Sequence, residues 1–250
     1  MKWRCKIKIS WFWVLALPFL FLVSFSRVYF DVLLMLIFHE MIHVLTALVF
    51  GMKVEQIIIY PFGMCAKFHG YGLGKPLAEG IVAAMGIGSH LLIYGVLFIL
   101  LTIGWISNAY FQYLSDVNIG LALFNFIPIY PLDGFRIMQS LLHQCFPYQK
   151  AYVLSLFVSL LFLCINTSIW NTSISAFMIA LLSLFASLKL WYYRYHYYLS
   201  FYWYRYLHKI KGKAKYHMQQ DLYRGYENYI ITNEKVVHET KWLYEKLGKW

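Results

Sequence analysis

The chain has 250 residues, of which 61% are hydrophobic, 20% aromatic and 13% charged, and its formal net charge is +11. A soluble globular domain carries about 25% charged residues. The composition therefore excludes an ordinary soluble enzyme, and the four cysteines (Cys5, Cys65, Cys145, Cys164), lacking any CxxC spacing, exclude a disulfide framework and a thiolate zinc site.

Lys2, Arg4, Lys6 and Lys8 precede a first apolar run over 11–26. The run has the shape of a signal peptide but no small-residue cleavage site follows it, so it reads as an uncleaved first span. The second span, 28–50, contains no Lys or Arg and is long enough to cross a bilayer, which takes about 20 residues. At its centre stands His39-Glu40-Met41-Ile42-His43. Ionisable groups at that depth are expensive and mark function. Histidines at i and i+4 share a helical face and can grip one metal, with Glu40 as general base toward a metal-held water. The bland alternative is a pair of buried, hydrogen-bonded histidines.

Between the second and third spans, Val54–Tyr60 and Met64–Phe68 read as two short strands around a turn at Pro61-Phe62-Gly63. At membrane depth such strands must be covered by protein or line a wet cavity. An extended substrate could pair with this 54–68 segment by adding a strand to its edge. The third span, 81–104, carries Gly86-Ile87-Gly88-Ser89-His90. His90 reads either as an oxyanion- or substrate-holding group or as a hydrogen-bonding residue of a helix bundle. The fourth span, 110–130, breaks at Asn125-Phe126-Ile127-Pro128-Ile129-Tyr130-Pro131-Leu132-Asp133-Gly134. A catalytic zinc needs three protein ligands and an open position. Asp133, one of few acidic residues near the spans, completes the set; its alternative role is to cap the helix over 135–145.

Spans at 151–168 and 174–191 bring the count to about six. Trp191 to Tyr206 then interleaves aromatic and basic residues, read as an interfacial belt on an anionic leaflet rather than as a base-stacking surface, so no nucleic-acid partner is expected. Beyond it, Tyr229–Thr232 is a strand candidate, and His217–Asn228 and Lys235–Leu247 read as two short helices of mixed charge, docking on the membrane surface or a partner. Basic residues alternate along the loops. They precede the first span, recur at Lys53, Lys67 and Lys75, again at Arg136 and Lys150, and again at Lys189 and Arg194. Both termini are expected in the cytoplasm. The fold class is thus an α-helical polytopic membrane protein of about six spans, with a short membrane-embedded β segment between the second and third. Residues 1–191 form its membrane domain and 192–250 a cytoplasmic aromatic and basic tail.

HExxH in an early span followed by N-x-x-P-x-x-P-L-D-G resembles the site-two protease family of intramembrane zinc metalloproteases, in its stage IV sporulation branch, which processes a sigma-factor precursor. Tyr60-Pro61-Phe62-Gly63, Phe146-Pro147-Tyr148-Gln149-Lys150 and Tyr193-Arg194-Tyr195-His196-Tyr197 add to the resemblance, which covers about 10–205. It implies Zn2+ held by His39, His43 and Asp133, Glu40 as the base, and Asn125 positioning substrate. It also implies a membrane-tethered protein substrate, membrane regulatory proteins as partners, and a bacterial inner or forespore-surrounding membrane. Two departures stand out: Phe135 follows Gly134 where the family has a second glycine, and Gly86-Ile87-Gly88-Ser89-His90 replaces a Gly-Pro-x-x-Asn string. The competing class of function is an inactive membrane scaffold, or a transporter using the same four residues as a metal or proton relay.

Overall fold

The computed structural model describes residues 6–11, 14, 27–60, 63–169, 174–208, 212–218, 221–232 and 235–248. The expected first span therefore lies almost wholly outside the described residues, as do Pro61 and Phe62 of the expected turn. The chain divides into two compact units, 1–69 with 81–126, and 70–80 with 127–250.

The first unit holds strand β1 (Lys6–Ile9), helix α1 (Arg27–Val49), strands β2 (Val54–Tyr60) and β3 (Gly63–Phe68), most of helix α2 (Pro76–Thr102), and helix α3 (Asn108–Phe126). Met35, His39, His43 and Ala47 are the buried residues of α1, spaced by four, so one narrow stripe faces the protein while Leu34, Met41 and Leu45 are exposed. Met35, Leu97 and Leu114 form the apolar core here. At the start of α1, the Tyr110 hydroxyl donates to Asp31 at 2.8 Å, and the Arg27 guanidinium stacks 4.1 Å from the Tyr110 ring.

The β-branched run Ile57-Ile58-Ile59 forms the expected strand, antiparallel to β3 with Ile58 opposite Cys65. The sequence reading missed β1, in which Lys6 to Ile9 run parallel to Gln56 to Ile59. The sheet order is β1-β2-β3, so β2 is the central strand and the outer edges belong to β1 and β3.

The second unit contains α4 (Asp133–Cys145), α5 (Tyr148–Ile169), α6 (Ile174–Tyr192), α7 (Arg194–Leu207), strands β4 (Ala214–His217), β5 (Glu227–Ile231) and β6 (Val236–His238), and α8 (Glu239–Leu247). Here the expectation for the tail is corrected. His217–Asn228 is not a helix: β4 ends there, a turn follows, and β5 begins. Lys235–Leu247 is helical only from Glu239, after strand β6. The strand expected at Tyr229–Thr232 is present as part of β5, which starts two residues earlier and ends at Ile231, and which pairs parallel with β4 and antiparallel with β6.

The physical reason is a borrowed core. Leu222, Ile230 and Leu243 are too few to hold a domain alone, but they pack against Phe201 and Tyr202 of α7 and against Tyr148, Tyr152 and Leu156 of α5. The aromatic run at 191–206 is thus split. Tyr198, Phe201, Tyr202 and Arg205 are buried, while Tyr192, Tyr195 and Trp203 stay exposed. Two buried ion pairs tie the unit together. Arg224 meets Glu79 at 2.6 Å, and Glu79 also accepts from the Gly72 amide at 2.9 Å. Arg205 meets Glu239, which also accepts from the Asn228 side chain at 2.8 Å. Burial raises the Asp221 carboxyl above its usual range, although the Gln149 amide at 2.8 Å and the Tyr202 hydroxyl at 3.0 Å donate to it.

Among the described residues, three helical segments, Arg27–Val49, Pro76–Thr102 and Tyr148–Thr167, are long and apolar enough to cross a membrane. The chain is a mostly helical membrane protein. The fourth expected span appears as α3, which stops at Phe126, two residues before Pro128. The described apolar part of the sixth, Phe177–Tyr192, is shorter than a full crossing.

Candidate metal centre

His39 and His43 lie one turn apart on the buried stripe of α1, with Glu40 half-buried beside them. Their Nε2 atoms stand 3.1 Å apart. Two nitrogens each about 2.0–2.1 Å from a tetrahedral zinc lie roughly 3.4 Å apart, so the pair fits one ion with an adjustment of a few tenths of an ångström. A donor atom of Glu40 lies within 4.8 Å of both imidazole donors, the reach needed for a carboxylate to share a water with a metal.

The ring of His43 is oriented by α2. Its Nδ1–H donates to the Val82 carbonyl at 2.9 Å, which leaves the Nε2 lone pair for a metal. Gly86 makes this approach possible: a Cβ there would stand 2.0 Å from His43 Cε1 and 2.3 Å from Nε2. One turn on, His90 is buried with its ring centroid 5.2 Å from that of His39. His90 is held by Asn118 of α3, a residue the sequence reading passed over. The signal was available, since Asn118 is an amide in a largely apolar helix.

Asn125 closes α3 by donating to the Leu121 carbonyl at 3.0 Å. Asp133 is buried and is the first residue of α4. The cap position belongs to Leu132 rather than to Asp133, which stands in the first turn of the helix. The structure thus brings His39, Glu40, His43 and His90 into one unit, with Asn125 at the end of a helix of that unit and Asp133 in the other.

A family model for Peptidase family M50 matches residues 102–166. That stretch contains the Asn125 to Asp133 motif and excludes the HExxH. The stage IV sporulation protein FB of Bacillus subtilis is 29% identical over 139 residues, 55% of this chain and 48% of that protein. A zinc metalloprotease of Methanocaldococcus jannaschii is 31% identical over 134 residues, 50% of this chain and 39% of that protein. The matches thus span about half or less of those relatives' own length. The site-2 protease structure from Methanocaldococcus jannaschii superposes with a TM-score of 0.56 at 22% identity, covering 76% of this chain and 93% of that one. The chain resembles the site-2 proteases in sequence and in fold. In site-2 protease terms, the departures at Ile87 and Phe135 leave the HExxH and Leu-Asp-Gly strings intact.

Proposed function

We propose that the chain is an intramembrane zinc metalloendopeptidase acting on a membrane-tethered protein substrate. The observation that carries this is the His39–His43 nitrogen pair, 3.1 Å apart on the buried face of a helix of membrane length, with Glu40 beside it. His39 and His43 hold the ion, and Asp133 is the third ligand on the strength of its motif and its buried carboxylate. Zinc in such a set supplies an activated water, with a pKa lowered toward about 7, and polarises the scissile carbonyl. Glu40 takes the proton from the attacking water and returns it to the leaving amine. Asn125 and His90 position substrate. The substrate class favoured by the sporulation relative is a membrane-tethered sigma-factor precursor.

Purified Glu40→Gln is expected to keep one zinc per chain and lose cleavage of such a precursor, whereas His39→Ala loses both. Zinc loss in Glu40→Gln, alongside a fully active Asp133→Asn, would reverse the roles.

The reading includes about six spans, a membrane-embedded β2–β3 segment, a membrane domain over 1–191 and a cytoplasmic tail over 192–250, with both termini cytoplasmic. The alternation of Lys and Arg supports it. In a background without the native cysteines, Ser107→Cys should react with an impermeant thiol reagent from outside and Lys75→Cys should not. The opposite pattern inverts the topology.

A further inference from the structure

We propose that the groove between the start of α5 and α7 seats one anionic glycerophospholipid. Lys150 and the Tyr198 hydroxyl hold its phosphate, and one acyl chain lies along Val153, Leu154 and Phe157. The site goes beyond the protease reading: it needs α5 as a membrane helix, and neither the metal nor cleavage.

Gln149, Lys150, Val153, Leu154, Phe157 and Tyr198 line an open groove of about 490 Å³. Its polar end is fixed in place. The Gln149 amide donates to Asp221 at 2.8 Å and its side chain to the Tyr202 hydroxyl at 2.6 Å. Tyr198 packs edge-on against Tyr152, with ring centroids 5.6 Å apart. Two groups at this end stay unspent. Among the described residues, neither the Lys150 ammonium nor the Tyr198 hydroxyl has a hydrogen-bond or ion-pair partner. Burial raises the Tyr198 hydroxyl above its usual range, so it remains a proton donor, while the Arg194 guanidinium, one turn earlier on α7, pulls the other way. The acid at this end, Asp221, is already taken up by the Gln149 and Leu222 amides and the Tyr202 hydroxyl. Two cations thus flank a free hydroxyl, an arrangement that attracts a phosphodiester.

The rest of the groove fits an acyl chain. The apolar segment of α5 runs from Tyr148 to Thr167, so Lys150 stands in its first turn, at headgroup depth. Lys150, Val153, Leu154, Phe157 and Leu161 recur at i, i+3, i+4, i+7 and i+11, one face of the helix. Val153, Phe157 and Leu161 are exposed there, while Ala151, Tyr152, Ser155 and Leu156 on the other face are buried. At 1.5 Å per residue, the stripe from Lys150 to Leu161 runs about 16 Å, about half of a 30 Å hydrocarbon core. The groove therefore matches an anion at one end and an apolar chain of one leaflet's depth at the other. A free phosphate lacks the chain. A zwitterionic headgroup brings an ammonium, which meets Lys150 and Arg194 as a like charge.

Native mass spectrometry of the full chain released from detergent tests this, with phosphatidylglycerol, phosphatidylethanolamine and inorganic phosphate as separate probes. One phosphatidylglycerol should be retained per chain, and neither of the other two. Lys150→Gln should weaken retention about fivefold, the effect of one basic residue near an anionic headgroup. Tyr198→Phe keeps the ring and should weaken it about tenfold or more, as for a lost hydrogen bond to a charged group. Lys213→Gln, in the tail and outside the groove, should bind as the wild type does. Equal retention of phosphatidylethanolamine overturns the anionic assignment, and retained inorganic phosphate makes the groove an anion site rather than a lipid site. Equal losses in Lys150→Gln and Lys213→Gln mean attraction to the basic surface at large and overturn the site. So does a lipid-free dimer in the same spectra, which would give the groove to a second copy of the chain.

Discussion

Gly86 shows how much of the site depends on a missing side chain. A methyl group there would fall inside the His43 ring, which is already tied to the Val82 carbonyl, so the ring would have to leave its position. Gly88, two residues on, has nothing within 4 Å of its would-be Cβ. Gly86→Ala should therefore abolish stoichiometric zinc binding. Gly88→Ala should leave it intact and raise helix stability by about 0.5–1 kcal/mol, the ordinary gain of Ala over Gly in a helix. Metal analysis alongside thermal melts separates the two, and zinc retained in Gly86→Ala would refute this account of His43. At this scale the sequence was legible where chemistry is local. The i, i+4 spacing alone places His39 and His43 on one face. Gly86 and the Val82 carbonyl were not legible as site residues, because their roles depend on which face of α2 meets α1. No spacing within one helix encodes that.

Among the elements, the strands make the clearest case. Ile57-Ile58-Ile59 announced β2, while Lys6-Ile7-Lys8-Ile9, a strict period-two alternation, was absorbed into the basic leader before the first span. Recognising β1 changes where an added strand can go. Both sides of β2 are taken, by β1 and by β3, so an incoming substrate strand has the outer edge of β3 or that of β1. Along an antiparallel edge strand, successive residues alternate between bonding the neighbour and pointing their amides outward. Single prolines at Met64, Cys65, Ala66 and Lys67 should therefore act with period two if substrate adds at β3. Positions whose amide faces outward should lose cleavage while keeping zinc and thermal midpoint. Positions whose amide faces β2 should lose stability instead. Uniform tolerance of all four substitutions would exclude β3 as the substrate edge. The tail failed for a different reason. Its strands are short and polar, and the apolar surface that buries them belongs to α7, whose aromatic residues look from sequence like a membrane belt.

On the scale of the whole molecule, the borrowed core makes the second unit sensitive to pH. His143 on α4 is buried, stacks on Tyr148 at 5.1 Å, and its Nδ1 is enclosed without a hydrogen-bond partner among the described residues. Burial first, and the nearby Arg224 guanidinium second, hold its pKa well below 6.5. The unfolded chain binds a proton at this residue below about 6.5 and the folded chain does not, so the stability it contributes is present above that pH and lost as pH falls. Asp221 acts in the opposite sense: its raised carboxyl favours the folded state below 3.8 and loses that contribution as pH rises through its folded value. A pH series on one chain would mix the two, and comparison with His143→Gln isolates the histidine. Amide exchange in β4 and β5 should accelerate in the wild type between pH 6.5 and 5, relative to its intrinsic pH dependence. The same exchange should show no such acceleration in His143→Gln, whatever that variant's absolute stability. Parallel slopes in the two proteins would remove His143 as the source.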